Sequence, residues 1–373
     1  PDYTFSSTES GAITYGGSCS SSTTSAISGN NTITLSSLSD GTYADCTITV
    51  SKTISNENSE TNLSDSLTIT SFTVSSSDDS SSSGSGVFVV VGYSGAILRS
   101  TDNGSSWDNA TSPTGNNLKG VTFGNNTFVA VGASVNILRS TDNGSSFDNV
   151  THGGGSNLLE AVTFGNNTFV AVGYSGTIVR STDNGTTWAS VTSGTGNNLL
   201  GVGFANNTFV VSGGCNSCNG VGNILRSTDN GSSWDNVTSG TGNTLDDVAF
   251  GNNTFVVSGA NGTIVRSTDN GTNWGNATVP ATLSSYRVWA AGFGNNTFVG
   301  TTHHGKIVRS TDNGSSFSYV TSGVNNHLTD VSFGNNTFVG VGVSGTILRS
   351  TDNGTTWDNV TSGTTEHLYG IGF

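Results

Sequence analysis

The 373-residue chain carries 25 acidic against 11 basic residues, a formal charge of −14, and only 10% of its residues are charged. That balance excludes nucleic acid and anionic membrane surfaces, which select basic patches, and no run approaches the ~18 apolar residues of a membrane span. Ser, Thr, Asn and Gly dominate, Lys is almost absent and Met is missing; this predicts an extracellular or cell-surface product, processed or cut from a longer polypeptide.

Residues 1–74 alternate in short runs: Tyr3-Thr-Phe5, Ile13-Thr-Tyr15, Thr32-Ile-Thr-Leu35, Cys46-Thr-Ile-Thr-Val50 and Leu67-Thr-Ile. Period-two runs broken by Ser, Gly and Asn turns predict the strands of a small β-sandwich. The stretch Leu38-Ser-Asp-Gly-Thr-Tyr43, followed by Cys46 and Val50, resembles the strand–turn–strand corner of bacterial Ig-like domains. The resemblance makes Tyr43 a structural corner tyrosine and has the sandwich starting one strand late. The absent strand would come from upstream chain or from another copy of the protein. Residues 75–86, Ser-Ser-Ser-Asp-Asp-Ser-Ser-Ser-Ser-Gly-Ser-Gly, read as a flexible polar linker.

The cysteines form two local pairs, Cys19 with Cys46 and Cys215 with Cys218. A Cys19–Cys46 disulfide suits an oxidising compartment. Cys215 and Cys218 read as a loop-stapling disulfide. Metal binding or redox chemistry is the alternative, although no second Cys pair or adjacent His completes a zinc site.

From residue 87 one unit repeats. Ile97-Leu-Arg-Ser-Thr-Asp-Asn-Gly-Ser-Ser-Trp107 has six further versions, their aspartates falling at Asp102, Asp142, Asp183, Asp229, Asp269, Asp312 and Asp352. A period in the forties built of β-branched runs and Gly turns predicts a β-propeller with one four-stranded sheet per repeat. In each unit Asp-Asn-Gly makes a tight positive-φ hairpin, and the Asp side chain accepts hydrogen bonds from the turn's own backbone. The last stretch, Leu368 to Phe373, repeats the innermost strand and is expected to complete the first sheet, leaving no open edge at the seam. The chain thus reads as all-β: a seven-bladed β-propeller over 87–373, closed by 368–373, behind a small N-terminal Ig-like β-sandwich.

Ser-Thr-Asp-x-Gly-x-x-Trp resembles the Asp box, or BNR repeat, of sialidase-like propellers. The flanking Gly-x-Ile-Leu/Val-Arg-Ser is similar to photosystem assembly-factor propellers. The resemblance implies that the seven aspartates hold hairpins away from the ligand face. It implies no sialidase activity, because the Phe-Arg-Ile-Pro signature and a Tyr/Glu nucleophile pair are missing. The arginine preceding each Asp, as at Arg99 and Arg139, occupies one identical place per unit, which suits bonds to backbone carbonyls better than a ligand site.

Departures from the repeat carry the functional signal. The second residue of each inner strand runs Lys119, Glu160, Leu200, Asp246, Trp289, Thr329 and Tyr369. Such a ring around a channel mouth offers Trp289 and Tyr369 as stacking surfaces and Asp246 and Glu160 as acceptors; drift at solvated positions would give the same variety. Nearby loops add Tyr286, Arg287, His303 and His304. Adjacent histidines on an extended segment point to opposite faces, so no metal site is expected, and no cofactor. Asn-x-Ser/Thr sequons such as Asn103, Asn125, Asn166, Asn230 and Asn335 read as by-products of the turns. The functional expectation is a non-enzymatic surface protein for adhesion or for assembly into a layer or filament, with copies of itself and glycans as partners. The alternative is a carbohydrate-binding or glycoside-hydrolysing propeller, its carboxylates drawn from Glu160, Asp246, Asp247 and Asp330.

Overall fold

The computed structural model describes the backbone of residues 2–7, 11–16, 20–27, 29–34, 41–43, 47–56, 59–68, 72–74, 86–150, 157–214 and 222–373. All four cysteines, the side chain of Tyr43 and all but the last residue of the expected linker lie outside the described residues. The chain divides into two units, Pro1–Ser77 and Asp78–Phe373.

In the first unit, strands Ser25–Ala26, Gly11–Gly16, Thr47–Asn56 and Ser59–Thr68 form one antiparallel sheet in that spatial order. Asp2–Ser7 pairs with Gly29–Thr34, and Gly41–Tyr43 with Phe72–Val74. Alternation governs the burial: Ile48 and Val50 are buried while the alternate residues Thr47 and Thr49 are partly exposed, and Ile13 and Ala26 join the buried side.

In the second unit every described strand belongs to one of seven four-stranded antiparallel sheets. The second sheet shows the plan: inner strand Leu118–Gly124, then Thr127–Gly132, Ile137–Ser140 and the outer strand Asp148–Val150. The first sheet takes its inner strand from the far end of the chain. Leu368–Gly372 pairs with Phe88–Gly92, Ile371 standing opposite Val90. Inner strands pack side by side around a circuit, and Leu368–Gly372 lies between Leu118–Gly124 and Leu328–Gly334, closing it.

The core sits between successive sheets. Val89 of the first sheet packs with Val121, Ala130 and Leu138 of the second, and Thr127–Gly132 is buried throughout because sheets cover both its faces. One phenylalanine pair per sheet, such as Phe123 with Phe128 at 4.6 Å, fills the lower layer. Gly124 is required there: a Cβ on it would lie 2.1 Å from the Phe164 ring of the next sheet.

The repeated aspartate organises its hairpin. Asp102 Oδ1 accepts from Ser100 Oγ at 2.8 Å and from the Ser105 and Ser106 amides at 3.1 and 2.9 Å, while Oδ2 accepts from Ser106 Oγ at 2.7 Å. Asn103 and Gly104 take the left-handed backbone the turn needs, at φ 58° and 76°. The preceding arginine reaches the next hairpin: Arg99 Nε donates to the Asn143 carbonyl at 2.8 Å, and Arg349 Nε to the Asn103 carbonyl at 2.7 Å across the seam.

Candidate functional site

Every inner strand carries the same irregularity near its start. The pairing register slips between Leu118 and Gly120, Leu159 and Ala161, Leu199 and Gly201, and Leu245 and Asp247. It slips again between Val288 and Ala290, Leu328 and Asp330, and Leu368 and Gly370. The residue skipped in each case is the variable one: Lys119, Glu160, Leu200, Asp246, Trp289, Thr329 or Tyr369. A bulge residue has no partner in the ladder and is turned out of the sheet. All seven line one cavity of about 540 Å³, together with Tyr174, Asp247, Arg287, His327 and Asp330. That volume lies within the range of small-molecule sites.

The cavity's polar groups are tied to one another. Arg287 Nε donates to Asp246 Oδ2 at 2.7 Å, and its Nη2 reaches Oδ1. Arg287 is placed by the irregular loop before it, where the turn Ala281–Ser285 buries Leu283 and the Gly262 amide donates to the Tyr286 carbonyl at 2.6 Å. Its guanidinium also lies 4.4 Å from the Trp289 ring centroid, and Lys119 Nζ lies 4.0 Å from that of Tyr369, so a cation braces each aromatic ring. Burial lifts the Asp246 carboxyl to about 6, although Arg287 opposes it. Burial also raises Glu160, against the pull of Lys119 and a hydrogen bond with Tyr174.

Asp247 and Asp330 stand one position further on, where the other inner strands have Gly120, Ala161, Gly201, Ala290 and Gly370. Asp247 Oδ2 accepts from the Ala291 amide at 2.9 Å and Asp330 Oδ2 from the Ile371 amide at 2.8 Å, each bridging to the adjacent inner strand. Burial raises both, and the charge of Asp247 raises Asp330 further. All four carboxylates of the mouth are thus held by protein partners.

The histidines depart from the opposed arrangement expected of an extended segment. His303–Gly305 is a tight turn with His304 at φ 57°, which leaves the two rings 6.2 Å apart and brings them to 4.4 and 5.2 Å from His327. His303 also meets the Trp289 ring edge-on at 5.1 Å. Burial, then the neighbouring His327 and His304, pushes its pKa down. Among the described residues no three His, Cys, Asp or Glu side chains are arranged to hold a metal.

Of the residues singled out in the sequence, Lys119, Glu160, Asp246, Arg287, Trp289 and Tyr369 converge on the cavity. Tyr286, His303 and His304 stand beside it, in ring contact with one another or with Trp289 and His327. The seven aspartates from Asp102 to Asp352 are in the hairpins and do not line it. Tyr174 was missed, because Tyr93-Ser-Gly repeats the same triplet as Tyr174-Ser-Gly and nothing marks the second as special.

No family model matches the chain, and no curated protein matches it. Solved structures do. YCF48 bound to D1 peptide superposes with a TM-score of 0.57 at 19% identity, covering 70% of this chain and 86% of that one. YCF48 from Cyanidioschyzon merolae gives 0.56 at 16% identity, over 78% and 92%. The likeness is one of fold. The fold is a β-propeller. In propeller terms the cavity opens where the inner strands begin, and the bulges aim one side chain per sheet into it.

Proposed function

We propose that this chain is a non-enzymatic binding protein displayed outside the cell, a seven-bladed Asp-box propeller that takes a saccharide at its channel mouth. The observation that carries the reading is the convergence of seven different bulge side chains on one cavity. A repeat fold builds seven equivalent positions, and a binding site requires that they stop being equivalent. Two braced aromatic rings, Trp289 and Tyr369, suit the apolar faces of sugar rings, while Arg287, Lys119 and Glu160 suit hydroxyls. The low charge content and hydroxyl-rich composition support display outside the cell.

Hydrolysis is disfavoured by the state of the carboxylates. Asp246 is committed to Arg287, and Asp247 and Asp330 to backbone amides of neighbouring strands. Glycoside cleavage requires one carboxylic acid and one free carboxylate flanking the bond. The test is a glycan array with the full chain beside its Trp289→Ala variant, and a hydrolysis screen on the glycans retained. Retention abolished by Trp289→Ala, with no products, is expected. Binding of peptides alone, as the YCF48 complex with D1 peptide shows for that protein, would replace the ligand class; released sugars would make the chain an enzyme.

A second reading concerns the first unit, proposed as an Ig-like domain that joins copies of the chain. Among the described residues, Ser59–Thr68 pairs only with Thr47–Asn56 and leaves its other side open. An open edge accepts an incoming strand by β-augmentation. Light scattering of the full chain and of residues 78–373 tests this: association lost with the first unit is expected.

A further inference from the structure

We propose that the outer strands of the propeller are sites of N-linked glycosylation, at Asn109, Asn149, Asn236, Asn276 and Asn359. Between residues 87 and 373 the sequence contains nineteen Asn-x-Ser/Thr triplets, and the structure divides them into two classes. In fourteen, among them Asn103, Asn125 and Asn184, the asparagine has a left-handed backbone inside a tight turn. Eleven of the fourteen turn asparagines spend their side-chain amides on other residues of the propeller. Asn125 Nδ2 donates to Asn167 Oδ1 at 3.1 Å, and Asn184 Nδ2 to Thr127 Oγ1 at 2.7 Å. A sugar on these nitrogens would take one of their two N–H groups and crowd the neighbouring sheet that the amide touches.

The other five are of a different kind. Each stands in an outer strand, in Asp-Asn-Val-Thr, Asp-Asn-Ala-Thr or Gly-Asn-Ala-Thr, with its side chain exposed. None has a positive φ. No side-chain hydrogen bond to a described residue holds any of the five. In these five the carboxamide is free, solvated and presented on extended backbone, a combination that no turn sequon has. In the transfer the carboxamide nitrogen bonds the anomeric carbon of a lipid-diphosphate-linked sugar. The bond from that carbon to the diphosphate oxygen breaks, the diphosphate leaves with the electron pair, and one amide proton passes to a base of the transferase. The product covers outer edges that would otherwise offer unpaired backbone to other strands. The third and sixth sheets, whose outer strands read Ala189-Ser-Val191 and Ser318-Tyr-Val-Thr321, have no sequon there and stay bare.

The inference rests on the reading of the chain as exported through a glycosylating compartment. Its test is glycopeptide mapping of the full chain isolated from its native source, alongside protease shaving of intact cells. Glycan mass on the five outer-strand asparagines, with the turn asparagines unmodified, is expected; Thr111→Ala should remove the glycan of Asn109 alone. Glycans on the turns with bare outer strands would overturn the inference. A wholly unmodified chain also overturns it, and the shaving result then decides separately whether surface display stands.

Discussion

Arg287 grips the carboxylate of Asp246 with two nitrogens across the boundary between the fifth and sixth sheets, Nε lying 2.7 Å from Oδ2. The Asp246 side chain is 5% and that of Arg287 21% exposed, so the carboxylate depends on the guanidinium in place of water. Removing the arginine strands a buried carboxylate. Arg287→Ala should destabilise the propeller by about 3 kcal/mol in chemical denaturation, while Asp246→Asn added to it should recover most of that loss. Equal losses in the single and double variants would mean that the pair is not coupled.

The same carboxyl sets a pH dependence. Its folded value of about 6 stands above the 3.8 of a solvated aspartate, so the folded state keeps this proton after the unfolded chain has released it. The stability Asp246 contributes is complete below about pH 4 and falls away as pH rises through 6. Thermal melts at intervals from pH 4 to 7 should show wild type losing more stability than Asp246→Asn. A parallel course would remove Asp246 as the source.

The hairpin aspartates run the other way. The Thr187 hydroxyl and amide and the Ser181 hydroxyl hold Asp183 down at about 2, and Ser233 does the same for Asp229. A depressed carboxylate contributes stability that is present above about pH 4 and lost as pH falls towards 2. Asp183→Ala should cost about 1 kcal/mol, the low end for lost partners because this turn is exposed, and should leave saccharide retention unchanged. Retention lost with stability intact would assign the hairpins a binding role.

Closure of the circuit depends on six residues. Leu368 and Ile371 pack with Val90, Val339 and Val341, and the Phe373 ring lies 4.6 Å from that of Phe88. Deleting 368–373 should expose the edge of Phe88–Gly92 and produce aggregation on size-exclusion chromatography. A monodisperse truncated chain would show that the last strand is dispensable.

Much of this was legible in the sequence, for reasons that differ by residue. The strands and hairpins could be read because every repeat states the same Asp-Asn-Gly turn and the same β-branched runs. The variable ring could be read as a ring, but its convergence depends on the bulge. Its signature was present in Leu118-Lys-Gly-Val121: two apolar core residues three apart break the period of two, so one residue between them must leave the ladder. The joining of His303 and His304 to His327 was not legible, because equivalent turns hold Ser94, Ser134, Ser175, Asn261 and Ser344, and nothing in a His-His pair announces a left-handed backbone. Asp247 and Asp330 were visible as carboxylates, yet their bonds to Ala291 and Ile371 depend on which strands are neighbours.

The central claim is that the mouth of the propeller, and no other surface, receives the ligand. Hydrogen exchange of the full chain, with and without a saturating amount of the oligosaccharide chosen on the glycan array, measures this directly. Slowed exchange confined to 118–121, 159–162, 245–248, 287–291 and 368–371 is the expected result. Slowing at the Asn-Asn-Thr turns or along the outer strands, with those five segments unchanged, would contradict the account.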